Sequence, residues 1–302
     1  MGATGTLTRI GQGRRLPKAP PSLVGFGLLL PAMAIVGVFQ LYPLIRGVVL
    51  SLRDARTGAL TAHNYDRMLH DPAWQAAVVN AGKILLLVPL FVVVPLLLAF
   101  ALFQAFRGWR FFRAVFFLSW LMPPVIVGYM FTPLLSADGP LHSLLKPIGL
   151  GGLAHDWLAN QHTALWAVMA VFLWTIFGLG VGIYLAGLAT IPAHLVEAAR
   201  LDGASRLRIL RHVVAPLLAP TIALWSVMVV ASLLLGLYGF IYSLTNGGPG
   251  YSTMTPEYYI VSVLLNELNP SYAAALGTTL FLGVFAIVFT QMVAVYRRVV
   301  AD

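Results

Sequence analysis

The chain has 302 residues; 59% are apolar by a broad count, only 10% are charged, and the formal net charge is +9. Soluble domains carry roughly 25% charged residues. With a mean hydropathy of +0.86 the chain is therefore expected in a bilayer, which excludes a soluble enzyme, a disordered regulator and a secreted scaffold. It contains no cysteine, which excludes a disulfide framework, a thiolate metal site and a cysteine nucleophile.

A basic tail over residues 1–22 opens the chain, with Arg9, Arg14, Arg15 and Lys18. Six apolar runs follow, at 23–43, 84–102, 114–135, 165–188, 221–242 and 274–296. A spanning helix needs about 20 such residues. The runs are continuous rather than alternating, which argues against a barrel. The expected fold is all-α: a polytopic membrane protein with six transmembrane helices over 23–302 and a cytoplasmic helix–turn–helix over 189–220. Ala32-Met33-Ala34 looks like a signal-peptide cleavage site, but the apolar run continues to Pro43, so the first run is expected to remain a span.

Orientation follows from Lys and Arg. With the amino terminus in the cytoplasm, thirteen of the nineteen Lys and Arg lie on the inner side and seven of the ten acidic residues on the outer side. Both termini are then cytoplasmic. Topology and anionic lipid account for the positive charge. A nucleic-acid partner is not expected, since that footprint needs basic residues clustered on a soluble face with stacking aromatics.

Within the runs, Pro123-Pro124 reads as a kink in the third span. Gly178 and Gly182 have the GxxxG spacing of close helix packing. Almost no charge lies inside the spans, which argues against a stand-alone proton-coupled carrier. His162 and His212 fall near span ends, which argues against an intramembrane enzyme.

The inner connection at 189–220 is far longer than a turn requires. Pro192 suits a first helical turn. Leu195, Val196, Ala199 and Leu201 form an apolar side opposite Glu197, Arg200 and Asp202. Gly203 can take the left-handed conformation that ends a helix, and Asp202 can cap the next one. Leu207, Leu210, Val213 and Val214 then form a second apolar stripe. The pattern fits a helix–turn–helix presented to another protein; it fits equally an amphipathic helix in the headgroups.

Glu197, Ala198, Ala199, Gly203 and Pro216 resemble the EAA motif of binding-protein-dependent ABC transporter permeases, and Asp202, Gly203 and Ala204 match the longer form in the carbohydrate-uptake branch. Leu207, Leu210, Val213 and Ala215 depart mildly from that branch. Residues 63–80 (Asn64, Tyr65, Asp71, Pro72, Trp74, Asn80), the third span and residues 244–265 resemble it too, so the likeness covers nearly the whole chain.

The resemblance implies a transport subunit of a bacterial inner membrane, not an enzyme. No GxxxxGK[ST] phosphate loop occurs in the sequence. The chain is expected to bind no cofactor, with ATP and Mg used by a separate ATP-binding subunit dimer. The first helix of the loop would dock on that ATPase through Glu197, with Gly203 as the turn. A second permease subunit would complete a heterodimer, and an extracytoplasmic solute-binding protein would meet Trp74, Asn246, Gly247, Gly248 and Pro249. The glycine cluster is also ordinary turn chemistry. The implied substrate is a carbohydrate, with glycerol phosphate or another polyol as the alternative. Sugars are held by aromatic faces and hydrogen-bonding groups, which makes Trp174, Thr175, Tyr184, Tyr238 and Tyr242 pathway candidates, with Trp120 and Tyr129 beside them. Membrane-interface enrichment accounts equally for Trp120, Tyr129 and Tyr242. The apolar stretch Leu233-Leu234-Leu235-Gly236-Leu237 shifts more of the substrate site to the partner permease.

Overall fold

The computed structural model describes residues 21–55, 57–103, 108–145, 147, 149 and 155–301. Most of the expected basic tail, with Arg9, Arg14, Arg15 and Lys18, lies outside the described residues, as do Arg56, Arg107, Lys146 and Asp302. The chain divides into two compact units, Met1–Arg46 and Gly47–Asp302. The described residues are helical apart from turns and one isolated bridge between Arg53 and Leu60.

Helix α1 spans Pro21–Val36, a π-helical turn covers Gly37–Leu41, and α2 spans Tyr42–Ser51. The Tyr42 amide donates five residues back, to the Gly37 carbonyl. The extra residue in this turn lets the helix pass Pro43, which lacks an N–H, without stopping. The first span thus runs beyond the expected boundary at 43.

Helix α3 (His63–His70) leads to α4 (Pro72–Leu85) and α5 (Val88–Phe103). Asp71 caps α4: its Oδ1 accepts from the Ala73 and Trp74 amides at 2.9 and 3.3 Å, and Pro72 occupies the first turn. Helices α6 (Trp109–Leu121) and α7 (Pro124–Leu135) follow, meeting at 105°. The expected kink in the third span is therefore a break. Met122 and Pro123 are extended, with ψ of 132° and 136°, because a residue preceding proline is excluded from the helical region.

After α8 (Pro140–Leu145), α9 (Ala164–Leu188) is an uninterrupted span. Then come α10 (Ala193–Leu201), α11 (Arg206–Ile209), a π-helical turn at Leu210–Val214, α12 (Ala215–Leu217) and α13 (Ala219–Leu235). The stretch Arg206–Leu217 meets α13 at 81°. Last are α14 (Tyr238–Leu244), α15 (Pro256–Leu265) and α16 (Pro270–Ala301). Among the described residues, four stretches are long and apolar enough to cross a membrane, and counting each bent pair as one span raises this to six.

The core of the second unit lies where α5, α9 and α13 meet. Trp225 is fully buried, and its indole N–H donates to the Phe91 carbonyl at 3.0 Å. A Cβ on Gly180 would lie 2.6 Å from that indole, and one on Gly178 only 1.9 Å from the Phe116 carbonyl oxygen. A Cβ on Gly182 would meet nothing closer than the Phe117 ring at 3.4 Å. The close packing expected of the Gly178–Gly182 pair belongs instead to Gly178 and Gly180, which face different neighbours. Helices in lipid associate by such close contact rather than by excluding water.

Asp71 also ties three helices together. Its Oδ2 accepts hydroxyl bonds from Tyr259 of α15 at 2.5 Å and Tyr272 of α16 at 2.6 Å. Arg67 of α3 lies 3.9 Å over the Tyr272 ring and pairs with Glu267 at 2.7 Å. Burial raises the Asp71 carboxyl, but the two phenols and the two backbone amides outweigh it, so it titrates below the ordinary aspartate value. Stability from a lowered carboxyl is fully present above that ordinary value and lost as pH falls through the lowered one. Asp71→Ala is expected to cost about 2–3 kcal/mol, a cap plus charge-assisted bonds. Asp71→Asn, which keeps one acceptor oxygen for the cap, should cost less. Thermal unfolding of the solubilised protein checks both, and the Asp71→Ala deficit should shrink in acid.

Candidate functional site

Three regions bring candidate residues together. The first is the 191–217 loop. Helix α10 ends in a paired closure: the Gly203 amide donates to the Arg200 carbonyl and the Ala204 amide to the Ala199 carbonyl, both at 3.0 Å. This is the Schellman arrangement, which needs a left-handed residue at the position of Gly203; its φ is +76°. Asp202 does not cap the following helix. Ser205 does, with its hydroxyl accepting from the Arg208 amide. Asp202 stands at the carboxyl end of α10, three residues before the capping position.

The loop is anchored on one side only. Val196, Ile209, Leu210 and Val214 are buried, while Ala199 and Ala204 pack partly against the same core. Glu197, Ala198, Asp202, Gly203 and Pro216 are exposed. Leu201 and Leu207, expected on the packed stripes, are 89% and 69% exposed. The result is a stiff, closed corner whose outer face combines a carboxylate, a small residue and two uncovered leucines. Such a face suits docking against a protein groove.

The second region is a groove of about 220 Å³, lined by Trp120, Met122, Pro124, Phe172, Thr175, Ile176, Ser232, Gly236 and Phe240. It sits where two spans break. The third breaks at Met122-Pro123. The fifth, expected as one helix over 221–242, ends at Leu235 and resumes as α14 at Tyr238. Glu257 sits at this second break: its Oε2 accepts from the Leu237 and Tyr238 amides at 3.0 and 3.1 Å. Burial raises the Glu257 carboxyl, against the pull of those two amides. Irregular backbone at membrane depth is tolerated where it is buried in protein or lines a cavity.

Of the pathway candidates, Thr175 lines the groove, though its hydroxyl donates to the Val171 carbonyl. Trp174 points elsewhere, packing on Phe131 at 5.1 Å between ring centres. Tyr184 is fully buried, donates to the Val92 carbonyl of α5 and meets the Trp225 ring of α13. Tyr238 stacks between Tyr242 and Tyr258, at 5.9 and 5.6 Å, and Tyr242 is 47% exposed. Trp120 belongs to the groove, and Tyr129 is exposed on α7.

The third region is the 245–255 loop. Asn246, Gly247 and Gly250 have positive φ, and the Gly248–Pro249 bond is cis. Thr253 donates to the Gly248 carbonyl, Tyr258 donates to Asn246 Oδ1, and Asn80 reaches the Tyr251 and Met254 carbonyls. Asn246 is exposed, Gly248 and Pro249 are half-buried and Gly247 is buried. Trp74, expected at the outer surface, is buried instead, because the Asp71 cap turns the first residues of α4 inward. Sequence reasoning missed Glu257. Thr255-Pro256-Glu257 does signal a helix start, but nothing local tells which amides the carboxylate reaches.

Residues 55–301 match the family model described as binding-protein-dependent transport system inner membrane component. A probable ABC transporter permease protein of Pyrococcus horikoshii is 30% identical over 296 residues, covering 94% of this chain and 98% of the relative. The lactose transport system permease protein LacF of Rhizobium radiobacter is 30% identical, covering 91% and 94%. The fold matches that of a bacterial ABC transporter involved in the import of the acidic polysaccharide alginate, with a TM-score of 0.80 at 22% identity, covering 91% and 96%. The score is 0.77 against an alginate ABC transporter in complex with an alginate pentasaccharide-bound periplasmic protein.

Proposed function

Since the chain belongs to the family of inner-membrane components of binding-protein-dependent transport systems, we propose that it supplies half of the translocation pathway for a sugar or oligosaccharide in an ATP-driven importer. The observation that carries this reading is the α10 corner, anchored by buried Leu210 and Val214 and open to solvent at Glu197. A separate ATPase dimer, which uses ATP and Mg, takes α10 into a groove. Glu197 contacts it through a charge-assisted hydrogen bond. Because the corner is closed by its own backbone bonds, it moves as a body and passes ATPase closure to α13 and the groove. Alternating access follows as rigid-body rocking against a second permease subunit.

The Lys and Arg distribution puts α10 and both termini in the cytoplasm. The 245–255 loop then faces outward, where a solute-binding protein meets Asn246, Gly248 and Pro249. LacF and the alginate transporter support a saccharide cargo. The groove residues on this chain carry no charge, which favours a neutral sugar over a glycerol phosphate.

The test is solute uptake into proteoliposomes holding the complex co-expressed with its neighbouring transport subunits. Uptake should need the ATPase subunit, ATP and the external binding protein together; uptake without the ATPase subunit would sink the proposal. Two substitutions sort the aromatic candidates. Tyr242→Ala removes an exposed stacking face and should raise the half-saturating solute concentration by about tenfold, equivalent to roughly 1.4 kcal/mol. Tyr184→Phe removes one buried hydrogen bond, should cost about 1 kcal/mol of stability, and should leave that concentration unchanged.

A further inference from the structure

The amides of Leu237 and Tyr238 face a choice. In one unbroken helix they would bond to the carbonyls of Leu233 and Leu234, four residues back. Within a membrane protein an unpaired amide costs several kcal/mol, so one partner or the other must take them. Here both go to a single oxygen of Glu257, a half-buried carboxylate on a different helix. Gly236 is where regular helix ends: its amide still makes the ordinary bond to the Ser232 carbonyl, but its φ is −123°, and a Cβ there would lie 2.8 Å from that same oxygen. The groove residues Ser232, Gly236 and Phe240 straddle the break. Beyond it, Gly239 packs against Pro124 and Ser243 against Gly128, so α14 lies on α7 at the broken third span.

We propose that Glu257 is a positioning residue that holds the fifth span broken at Gly236, and so sets the shape of the translocation groove without touching the solute. Its role is to accept two hydrogen bonds in competition with the Leu233 and Leu234 carbonyls. Removing the acceptor lets α13 and α14 join into one helix, which carries Phe240 away from the groove. The functional half of the proposal rests on the groove being on the solute path; the structural half does not.

The chain has no cysteine, so spin labels at Leu224→Cys and Tyr242→Cys, both exposed positions, report the break directly by pulsed electron resonance. The distance measurement uses the whole complex with cysteine-free partner subunits, and uptake is read in the same Glu257 variants without the label cysteines, which keep Tyr242. One unbroken helix would separate the two Cα atoms by about 27 Å, from a 1.5 Å rise per residue. Glu257→Ala is expected to move the distance towards that value and to lower the maximal uptake rate at least tenfold. Glu257→Gln, which keeps a carbonyl acceptor, is expected to hold the wild-type distance and to transport within about threefold of wild type, taking a tenfold loss as 1.4 kcal/mol. Should the Ala variant fail to assemble, Glu257→Met, of similar volume but without a strong acceptor, carries the same measurement. An unchanged distance in Ala or Met overturns the proposal, and so does a Gln variant as impaired as Ala. Thr175→Trp tests the groove separately. If that bulk leaves uptake intact the groove is not the path, while the label distances still decide what Glu257 holds.

Discussion

Gly203→Val is expected to lower ATP-driven uptake by about tenfold or more while the complex still assembles, a loss of at least 1.4 kcal/mol in coupling. The residue sits at φ +76° with nothing within 4 Å of where a Cβ would point. Space is therefore not the difficulty; conformation is. A β-branched side chain in the left-handed region costs on the order of 1–2 kcal/mol. The chain relieves this by giving up the amide bonds of Gly203 and Ala204 to the Arg200 and Ala199 carbonyls. Helix α10 then loses its fixed angle to α11, and Glu197, Ala198 and Leu201 no longer present one surface. Since the site lies outside the buried core, the spans themselves should be unaffected. Gly203→Asn is the control, because asparagine tolerates the left-handed region, and it should retain most uptake. Glu197→Ala should resemble Gly203→Val in uptake but leave the corner intact. The comparison is made in proteoliposomes, reading solute-stimulated ATP hydrolysis alongside uptake. If Val and Asn behave alike, the backbone geometry of the corner does not govern coupling.

Gly178→Leu should prevent a stable protein from accumulating. A Cβ at this position would lie 1.9 Å from the Phe116 carbonyl oxygen, 2.8 Å from its carbon and 3.1 Å from Ser119 Oγ. The two nearest atoms are backbone, which cannot rotate aside, so α6 and α9 must separate. Overpacking in cores costs about 1–3 kcal/mol where side chains can adjust, and here the loss should exceed that range. Separation also forfeits the close contacts that hold helices together in lipid. Even Gly178→Ala should lower the unfolding temperature appreciably. Gly182→Ala, one turn along, would meet only the Phe117 ring at 3.4 Å and should be tolerated. Membrane-extracted yield and thermal unfolding of the purified protein read both variants. A Gly178→Leu protein as stable as Gly182→Ala would show that the α6–α9 approach is not as tight as these distances require.

The two substitutions differ in how visible their effects are from the sequence. Gly203 announces itself. It follows an amphipathic stretch, precedes Ala204-Ser205 and falls where a helix must stop, because a Schellman closure is local backbone chemistry within six residues. Gly178 and Gly182 look alike in the sequence, and only the neighbouring α6 separates them. The same division holds for the outer segment. Asp71-Pro72 is legible as a helix start, but the bonds from Tyr259 and Tyr272, 188 and 201 residues away, are not.

The amino-acid sequence by itself determined that the chain lives in a membrane, where its apolar runs lie, and that the helix after Pro192 stops at Gly203. Hydropathy, proline placement and capping act over one or two turns of chain, so they can be read in order along it. Tertiary structure alone decided that the third and fifth spans are broken around a shared groove, that Tyr184 and Trp74 are buried, and that Gly180 rather than Gly182 is in close contact. The physical reason is clearest at Glu257. The apolar run through Leu235 and Leu237 favours continuous helix, and it is interrupted because a carboxylate twenty residues further on reaches back to take its amides. That competition is settled by packing, which brings α15 beside the break, and not by any property of the run itself.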